Sequence, residues 1–183
     1  MASDVRQRMA RSALLLIAER GVGGVSIADV LEHSGTPRGS VYHHFPGGKD
    51  ELVLAAMEFM ATGARAPLAA MKGRNVAGII TGFVDLWRGV LVQSEFEAGC
   101  ASAGVATSAE TDELRTAARR VFEAWTADLA ALFQDAGLEQ QRATDLAWML
   151  FASTEGALIF ARSEKSMRAM DLVEKQLLAL ASA

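Results

Sequence analysis

The sequence predicts an all-α protein, and three observations lead to this prediction. No stretch of the 183 residues shows sustained alternation of apolar and polar side chains, which is the pattern of a half-buried strand. Apolar residues instead recur at three- and four-residue steps, which places them along one face of a helix. Gly and Pro are concentrated in short segments between these stretches, at 21–24, 35–39, 46–48 and 99–104. We therefore expect helices joined by short turns.

The composition indicates a folded protein of a reducing compartment. Apolar residues make up 51% of the chain, which is enough for a sizeable core and argues against disorder. The single cysteine, Cys100, excludes an intramolecular disulfide and fits the cytosol. The apolar run at 14–17 follows several arginines but is far too short to span a membrane. We therefore expect a soluble, cytoplasmic protein with no membrane partner.

The charge is weak and unevenly distributed. The formal net charge is -4, with a balance of +1 over residues 1–50 and of -5 over residues 51–183. A chain with so little positive charge gains little non-specific attraction for nucleic acid. Any contact with DNA must therefore depend on individually placed donors and on more than one copy of the binding unit.

The first fifty residues contain signals for the ends of three helices. The first helix is predicted from Asp4 to Arg20, and Gly21 is a typical residue to end it. Ser26 is predicted to cap a second, short helix, because Asp29 stands three residues later, where the acid of a capping box belongs. The second helix follows the first after a short glycine-containing connection.

A third helix follows the tight turn predicted at Ser34-Gly35. Thr36 is predicted as its N-cap and Pro37 as its first residue, which is the helical position that proline tolerates best. Two short helices joined by such a turn form a helix-turn-helix, although an ordinary corner of a helical bundle is the alternative. DNA binding is favoured because the third helix carries polar side chains with no structural need, namely Arg38, Ser40, Tyr42, His43 and His44.

From Gly24 to Leu52 the chain resembles the TetR family of transcriptional regulators. The matching segments are SIADV at 26–30, SGTPRGSVYHHF at 34–45 and GKDEL at 48–52, and the form PRGSVYHHFPGGKDEL is similar to the LmrA/YxaF-type branch. The resemblance implies a helix-turn-helix DNA-binding domain at 1–48 joined to a helical ligand-binding and dimerisation domain at 49–183. It also implies a homodimer whose partner is double-stranded operator DNA.

The resemblance assigns contacts with DNA to individual residues. It implies that Ser26 and Thr36 offer hydroxyls and helix N-terminal amides to phosphates, and that Lys49 binds another phosphate. Helix N-termini and hydroxyls suit phosphate, and arginine can bond guanine through two hydrogen bonds. The role of His44 stays open between DNA contact and packing on the first helix. The predicted DNA-binding residues are Ser26, Thr36, Pro37, Arg38, Gly39, Ser40, Tyr42, His43 and Lys49.

The rest of the chain is predicted to bind a small apolar or aromatic ligand. A long helix begins at Lys49, and Pro67 is expected to bend or restart it. Two further helices place Trp87 and Trp125 on apolar faces. Such faces are more often core than ligand site, but two tryptophans facing one interior would suit an aromatic ligand. The predicted ligand-binding residues are Phe59, Phe83, Trp87, Cys100, Phe122, Trp125 and Met149.

The last two helices are predicted to form the dimer interface. The helix from about Gln140 to Arg162 is apolar on every face over much of its length, so it needs more cover than one small chain supplies. Pairing with the helix near 167–181 across a two-fold axis gives a four-helix interface. Glu155 is expected either to hydrogen-bond there or to contact the ligand. The predicted interface residues are Leu146, Leu150, Ser153, Gly156, Ala157, Phe160, Met170, Val173 and Leu177.

No catalytic residues, metal ligands or cofactor site are predicted. The segment 99–104 lacks the spacing of a nucleophile elbow, Gly48-Lys49 lacks the glycine spacing of a phosphate loop, and the three histidines lack a metal-ligand spacing. Cys100 is interpreted as a small buried residue near the pocket, with a reactive thiol as the alternative. The predicted function is a homodimeric repressor released from DNA by a small ligand. The alternatives are a helical binding or interaction protein without DNA regulation, and a small enzyme using Cys100 or Glu155.

Overall fold

The computed structural model describes residues 2–63 and 65–182, and within them it contains only α-helices. This confirms the predicted fold class. The ten helices in these residues are α1 (Ala2–Arg20), α2 (Ile27–Ser34), α3 (Gly39–His44), α4 (Gly48–Gly63), α5 (Arg65–Ala69), α6 (Val76–Gln93), α7 (Ala101–Ser108), α8 (Asp112–Asp135), α9 (Gln140–Glu164) and α10 (Arg168–Ala181).

The chain divides into two compact units, each made of two segments. The first unit comprises Met1–Gly63 and Cys100–Phe122, and the second comprises Ala64–Gly99 and Glu123–Ala183. The boundary predicted at residue 48 therefore falls inside the first unit, because α4 packs along α1. The first part of α8 belongs to the first unit and the remainder to the second.

The core of the first unit is built around α1. This helix packs against α2, α4 and α7, and Met9, Ala13 and Ile17 are buried along one of its faces. A Cβ at Gly104 of α7 would make an ordinary van der Waals contact, 3.9 Å from the carbonyl oxygen of Ile17. Phe45 closes the core at the end of α3 and is fully buried. The helix-turn-helix thus rests on a supporting helix, as the sequence indicates.

The ends of α2 follow the local signals in the sequence. Ser26 forms a capping box: its Oγ accepts a hydrogen bond from the Asp29 amide at 3.2 Å, and its own amide donates to Asp29 Oδ2 at 2.7 Å. Gly35 ends the helix with φ 63°, a left-handed conformation that glycine adopts without strain. Both predictions for this helix are confirmed.

The start predicted for α3 is wrong by two residues. The helix begins at Gly39, and Thr36 is not its N-cap. The Thr36 amide donates to the carbonyl of Leu31 at 3.0 Å, and its hydroxyl accepts from Ser34 Oγ at 2.8 Å. Thr36 is therefore engaged in closing α2, and the next helix begins only after the chain has left this turn.

The second unit packs α6 against α9 and α10. Asn75 caps α6, because its side-chain oxygen accepts a hydrogen bond from the Gly78 amide at 2.8 Å. Two helical stretches, Gly48–Ala69 and Val76–Gln93, are long and apolar enough to cross a membrane by length and composition alone. Length and composition alone are weak evidence for a membrane span, because the core helix of a folded protein can meet the same criteria. The α6 helix has the pattern of a core helix, with Ile79, Ile80 and Phe83 buried in its unit.

Arg88 joins α6 to α10 through three carboxylates. Its guanidinium lies 2.9 Å from Asp85 and 2.7 Å from both Asp171 and Glu174. The other oxygen of Glu174 accepts from Thr81 Oγ1 at 2.7 Å. Partial burial acts to lower the pKa of Arg88, but the hydrogen bonds to these carboxylates outweigh it and raise the pKa above its ordinary value. The network fixes the two helices in register.

We expect Arg88→Met to destabilise the protein by about 1–3 kcal/mol, because several charge-assisted hydrogen bonds are removed and Glu174 keeps only Thr81 as a donor. Urea unfolding followed by circular dichroism measures this change. The matched control is Arg115→Met, whose partner Asp112 is almost fully exposed, so its effect is about 0.5 kcal/mol or less. Equal destabilisation of the two variants would show that the network adds nothing beyond a surface ion pair.

Candidate functional site

The α3 helix presents most of its side chains to solvent. Only Val41 is buried within it, and Phe45 directly after it is the second inward anchor. Tyr42 is 75% exposed, and Arg38 and His43 are also exposed. A Cβ added at Gly39 would meet no atom within 4 Å, so this position faces open space. The exposed side chains form a polar surface that could contact a nucleic acid.

The position of α3 depends on Arg6 of α1. Its guanidinium donates to the carbonyl oxygen of His44 at 2.6 Å and lies over the ring of Phe45, 4.4 Å from the centroid. The same nitrogen lies 3.3 Å from Glu51, which also accepts from the Gly47 amide at 2.9 Å. Arg6 thus binds the end of α3 to the start of α4. Its role was not predicted, since spacing alone does not show which arginine of α1 faces α3.

The two adjacent histidines have different environments. His43 is exposed, whereas His44 is half-buried and its carbonyl is bound by Arg6. Their rings form an edge-to-face pair with centroids 5.0 Å apart. His43 is therefore the better placed of the two to meet a ligand outside the protein.

The N-terminus of α2 and Lys49 line one open depression of about 560 Å³. Ser26 cannot donate its hydroxyl proton there, because that proton is directed at Asp29 Oδ2 at 2.5 Å. The amides of Ile27 and Ala28, at the first positions of α2, have no carbonyl partner within the helix. Any phosphate at this end would therefore be bound by those amides and Lys49, which corrects the role predicted for the Ser26 hydroxyl.

Asp29 places a negative charge beside the same depression. Its hydrogen bonds from the Ser26 hydroxyl and amide lower the pKa of this carboxyl below its usual value. The carboxylate therefore stays ionised at neutral pH and opposes an incoming anion. Lys49 is the cationic group that lines the depression with it.

Eight of the nine residues predicted to bind DNA are exposed or half-buried. The exception is Thr36, which is 6% exposed and has both its amide and its hydroxyl engaged by protein groups. In this structure it offers nothing to a phosphate. Its burial follows from the compact turn between α2 and α3.

The second unit contains an aromatic cluster with Trp125 at its centre. Its ring centroid lies 5.9 Å from that of Trp87, 5.8 Å from Phe83 and 6.0 Å from Phe151. The structure thus brings together three of the predicted ligand-binding residues. Phe151 was not predicted, because α9 is apolar on both sides of it and the sequence does not show which side faces inward.

Both tryptophans of this cluster are buried without hydrogen bonds. Trp87 is 4% exposed and Trp125 is 5% exposed, and neither Nε1 has a hydrogen-bond partner in the described part of the chain. A buried donor left without an acceptor costs about 1–3 kcal/mol. Such groups are uncommon in folded proteins and call for an explanation.

The remaining predicted ligand-binding residues are Phe59, Cys100, Phe122 and Met149. The first three belong to the first unit. Cys100 is buried with its sulfur 3.1 Å from Ser102 Oγ, which agrees with its interpretation as a small core residue. Met149 is half-exposed on α9, and its role in ligand binding stays a prediction.

Phe59 lines a separate groove of about 320 Å³ between α1 and α4. Arg6 and Glu58 lie at the same groove, so charged groups border it. An apolar ligand would find little enclosure there. The groove has no aromatic residue besides Phe59 among those that line it.

Five of the predicted interface residues are buried inside the protomer instead, because they form the seam between α9 and its neighbours. These are Leu146, Leu150, Ala157, Met170 and Leu177. The expectation that a partner covers α9 through these residues is therefore corrected. The large apolar side chains left exposed on α9 and α10 define an outer stripe: Trp148, Met149, Ile159, Phe160, Leu172 and Leu180.

The outer stripe has a regular helical spacing on α9. Trp148 and Phe160 are joined along one face, at steps of four residues, by the exposed Ala152 and by Gly156, where a Cβ would meet nothing within 4 Å. Phe160, one of the predicted interface residues, is 61% exposed on this stripe. An unpaired apolar face of this kind marks an interaction surface.

Two family models match the sequence. The model described as bacterial regulatory proteins of the tetR family matches residues 11–56, and the model for the C-terminal domain of LmrA/YxaF-like transcriptional regulators matches residues 77–176. The second match alone covers more than half of the chain. The protein belongs to the TetR family. The resemblance found in residues 24–52 is therefore confirmed, including its LmrA/YxaF-like branch.

Individual relatives agree with this assignment. An uncharacterised HTH-type transcriptional regulator of Mycobacterium tuberculosis is 39% identical over 181 residues, which cover 94% of this chain and 91% of the relative. The HTH-type regulator LmrA of Bacillus subtilis is 23% identical, with 89% of each chain covered. A TetR regulator from Legionella pneumophila has the same fold, with a TM-score of 0.83 at 19% identity over 94% of this chain and 95% of that one.

Membership of the TetR family establishes the general function. The protein is a DNA-binding transcriptional regulator, and its relatives are regulators and not enzymes, as predicted. Among the described residues, no group of three or more His, Cys, Asp or Glu side chains could hold a metal ion. The TetR family binds operator DNA and typically dimerises.

We expect Tyr42→Phe combined with Lys49→Ala to weaken binding to operator and unrelated DNA alike. If Lys49 binds a phosphate, the slope of log affinity against log salt becomes shallower by about 0.9 for each phosphate that the variant no longer neutralises. Fluorescence anisotropy at several salt concentrations measures both effects. Lys72→Ala in the second unit controls for the removal of one positive charge. Unchanged binding in the double variant would remove both residues from the DNA interface.

Proposed function

We propose that the protein is a homodimeric repressor that leaves its operator when a small apolar or aromatic ligand binds in the second unit. The observation that carries this proposal is the contrast between the two units. The first presents the polar surface of α3, fixed by Arg6, and the second encloses an aromatic cluster with unsatisfied donors. DNA binding is assigned to residues 1–48, and ligand binding and dimerisation to residues 49–183.

The exposed residues of α3 divide into two roles in this proposal. Arg38 and Ser40, at the start of the helix, reach base edges in the major groove, where arginine can bond guanine through two hydrogen bonds. Tyr42 and His43 contact the sugar-phosphate backbone or bases. Lys49 and the first amides of α2 bind a phosphate, which fixes the register of the helix on the duplex.

A second copy of the chain is proposed to cover the outer stripe of α9 and α10. The net charge of -4 gives one head little attraction for DNA, so two heads are needed on one operator. The stripe is continuous over both helices, and a two-fold axis through it makes a four-helix interface in which each copy covers the other. Trp148 and Phe160 supply the largest apolar side chains there.

Ligand control requires a difference in affinity between two states of the dimer. Two α3 helices can read one operator only if they meet successive major grooves about 34–36 Å apart. A ligand that binds better to a state with another spacing shifts the dimer away from DNA, whereas equal affinity shifts nothing. Trp125 lies on α8, whose first part belongs to the DNA-binding unit, so we assign α8 to this coupling. We also propose that the protein acts in the cytoplasm, where its DNA is.

We expect DNase footprinting on the DNA upstream of the protein's own gene to reveal two protected half-sites. Their centres should lie about one helical turn, or a multiple of it, apart. The footprint should fade when an aromatic inducer is added. Protection by a single half-site, at protein concentrations where the protein is dimeric, would contradict binding by paired heads.

We expect Phe160→Glu to produce monomers and to weaken operator binding, because the charge would be buried against the partner's apolar stripe. Analytical ultracentrifugation gives the oligomeric state, and anisotropy gives the affinity. Val92→Glu is the matched control, since Val92 is an exposed apolar residue of the second unit outside α9 and α10. A Phe160→Glu protein that stays dimeric would exclude the outer stripe as the interface.

A further inference from the structure

Trp87 and Trp125 share a feature that an ordinary hydrophobic core does not need. An indole carries one hydrogen-bond donor and no acceptor. Both indoles are more than nine-tenths buried, their ring centroids are 5.9 Å apart, and their planes are inclined by 32°. Neither Nε1 finds an acceptor among the residues that the structure describes. Two unmet donors therefore lie in one cluster.

The phenylalanines beside Trp125 cannot satisfy an indole donor. Phe83 and Phe151 have no hydrogen-bond acceptor oxygen in their side chains. A core selected only for packing would carry phenylalanine or leucine here, since those residues fill space without leaving a polar atom unpaired. The indole nitrogens therefore point to an acceptor supplied from outside the chain.

We propose that the inducer is a neutral aromatic compound bearing a carbonyl oxygen, which accepts hydrogen bonds from the indole nitrogens of Trp87 and Trp125. The rings of the compound lie among Phe83, Phe151 and the two indoles. This inference rests on the proposed ligand site in the second unit. It narrows the ligand from any apolar molecule to one with an acceptor on an aromatic frame.

The apolar rings of the cluster favour a neutral ligand over an anion, because burying a charge without a partner is costly. A ketone carbonyl accepts hydrogen bonds without bringing a charge into the apolar cluster.

The first test removes the two donors without changing the shape of the side chains. Tryptophan is replaced at position 87 or 125 by 3-benzothienylalanine, in which sulfur stands for the indole N–H. We expect the thermal midpoint of the ligand-free protein to rise by about 2 °C or more, because an unsatisfied buried donor is removed. The same replacement of Trp148, which is 53% exposed, gives no rise. A lower midpoint at both buried positions would show that the donors already have partners and would overturn the proposal.

The second test compares aromatic compounds that differ only by a carbonyl oxygen. The pairs are fluorene and 9-fluorenone, diphenylmethane and benzophenone, and xanthene and xanthone, with binding followed by tryptophan fluorescence. We expect at least one ketone to bind about tenfold more tightly than its hydrocarbon partner. This preference should disappear when both tryptophans carry the sulfur isostere.

Each outcome of the second test decides one claim. The ligand class is overturned if no ketone is preferred in any pair, or if the preference survives in the doubly substituted protein. A preferred ketone that leaves the DNA footprint unchanged supports the ligand class and contradicts release from DNA by that ligand. The inference and the proposed function therefore fail on different measurements.

Discussion

The position of α3 depends on the contact of Arg6 with the end of that helix. A helix of six residues cannot hold itself together, because nucleation costs more than so few internal hydrogen bonds return. Val41 and Phe45 bury one side, and Arg6 binds the carbonyl of His44 while its guanidinium covers the ring of Phe45. Tyr42 and His43 can then remain exposed, because neither side chain is needed to fix the helix.

Because the protein carries little positive charge, the affinity of the proposed dimer for DNA depends on pairing through the outer stripe. A strongly basic head could bind DNA as a single copy, but here Asp29 sits beside the same depression as Lys49 and partly opposes it. Affinity must then come from joining two heads, since the second contact of a linked pair forms at a high effective concentration. The apolar stripe and the weakly charged head are thus complementary, because dimerisation supplies the affinity that electrostatics does not.

Local signals in the sequence predicted the helices well, and burial was harder to predict. Ser26, Gly35 and Asn75 define helix ends through bonds to residues within a few positions, so their roles are visible in the sequence. Threonine is also a common helix N-cap, but Thr36 instead helps to close the end of α2, because its amide donates to the carbonyl of Leu31. The distinction between Leu150 and Phe160 is not local at all, because α9 is apolar on several faces and only its packing against α6 and α10 decides which face is inward. The role of Arg6 could not be predicted for the same reason.

In the proposed ligand site, the two indole donors link the stability of the second unit to ligand binding. Two indole donors without acceptors make the ligand-free packing of the second unit less stable than a fully apolar core of the same shape. A ligand that supplies an acceptor recovers this free energy on binding, in addition to what it gains from burying its rings. The ligand changes the spacing of the two α3 helices only if this gain in binding free energy differs between two arrangements of the dimer. Trp125 is suited to create such a difference, because a change in its packing acts on α8, the helix that contributes residues to both units.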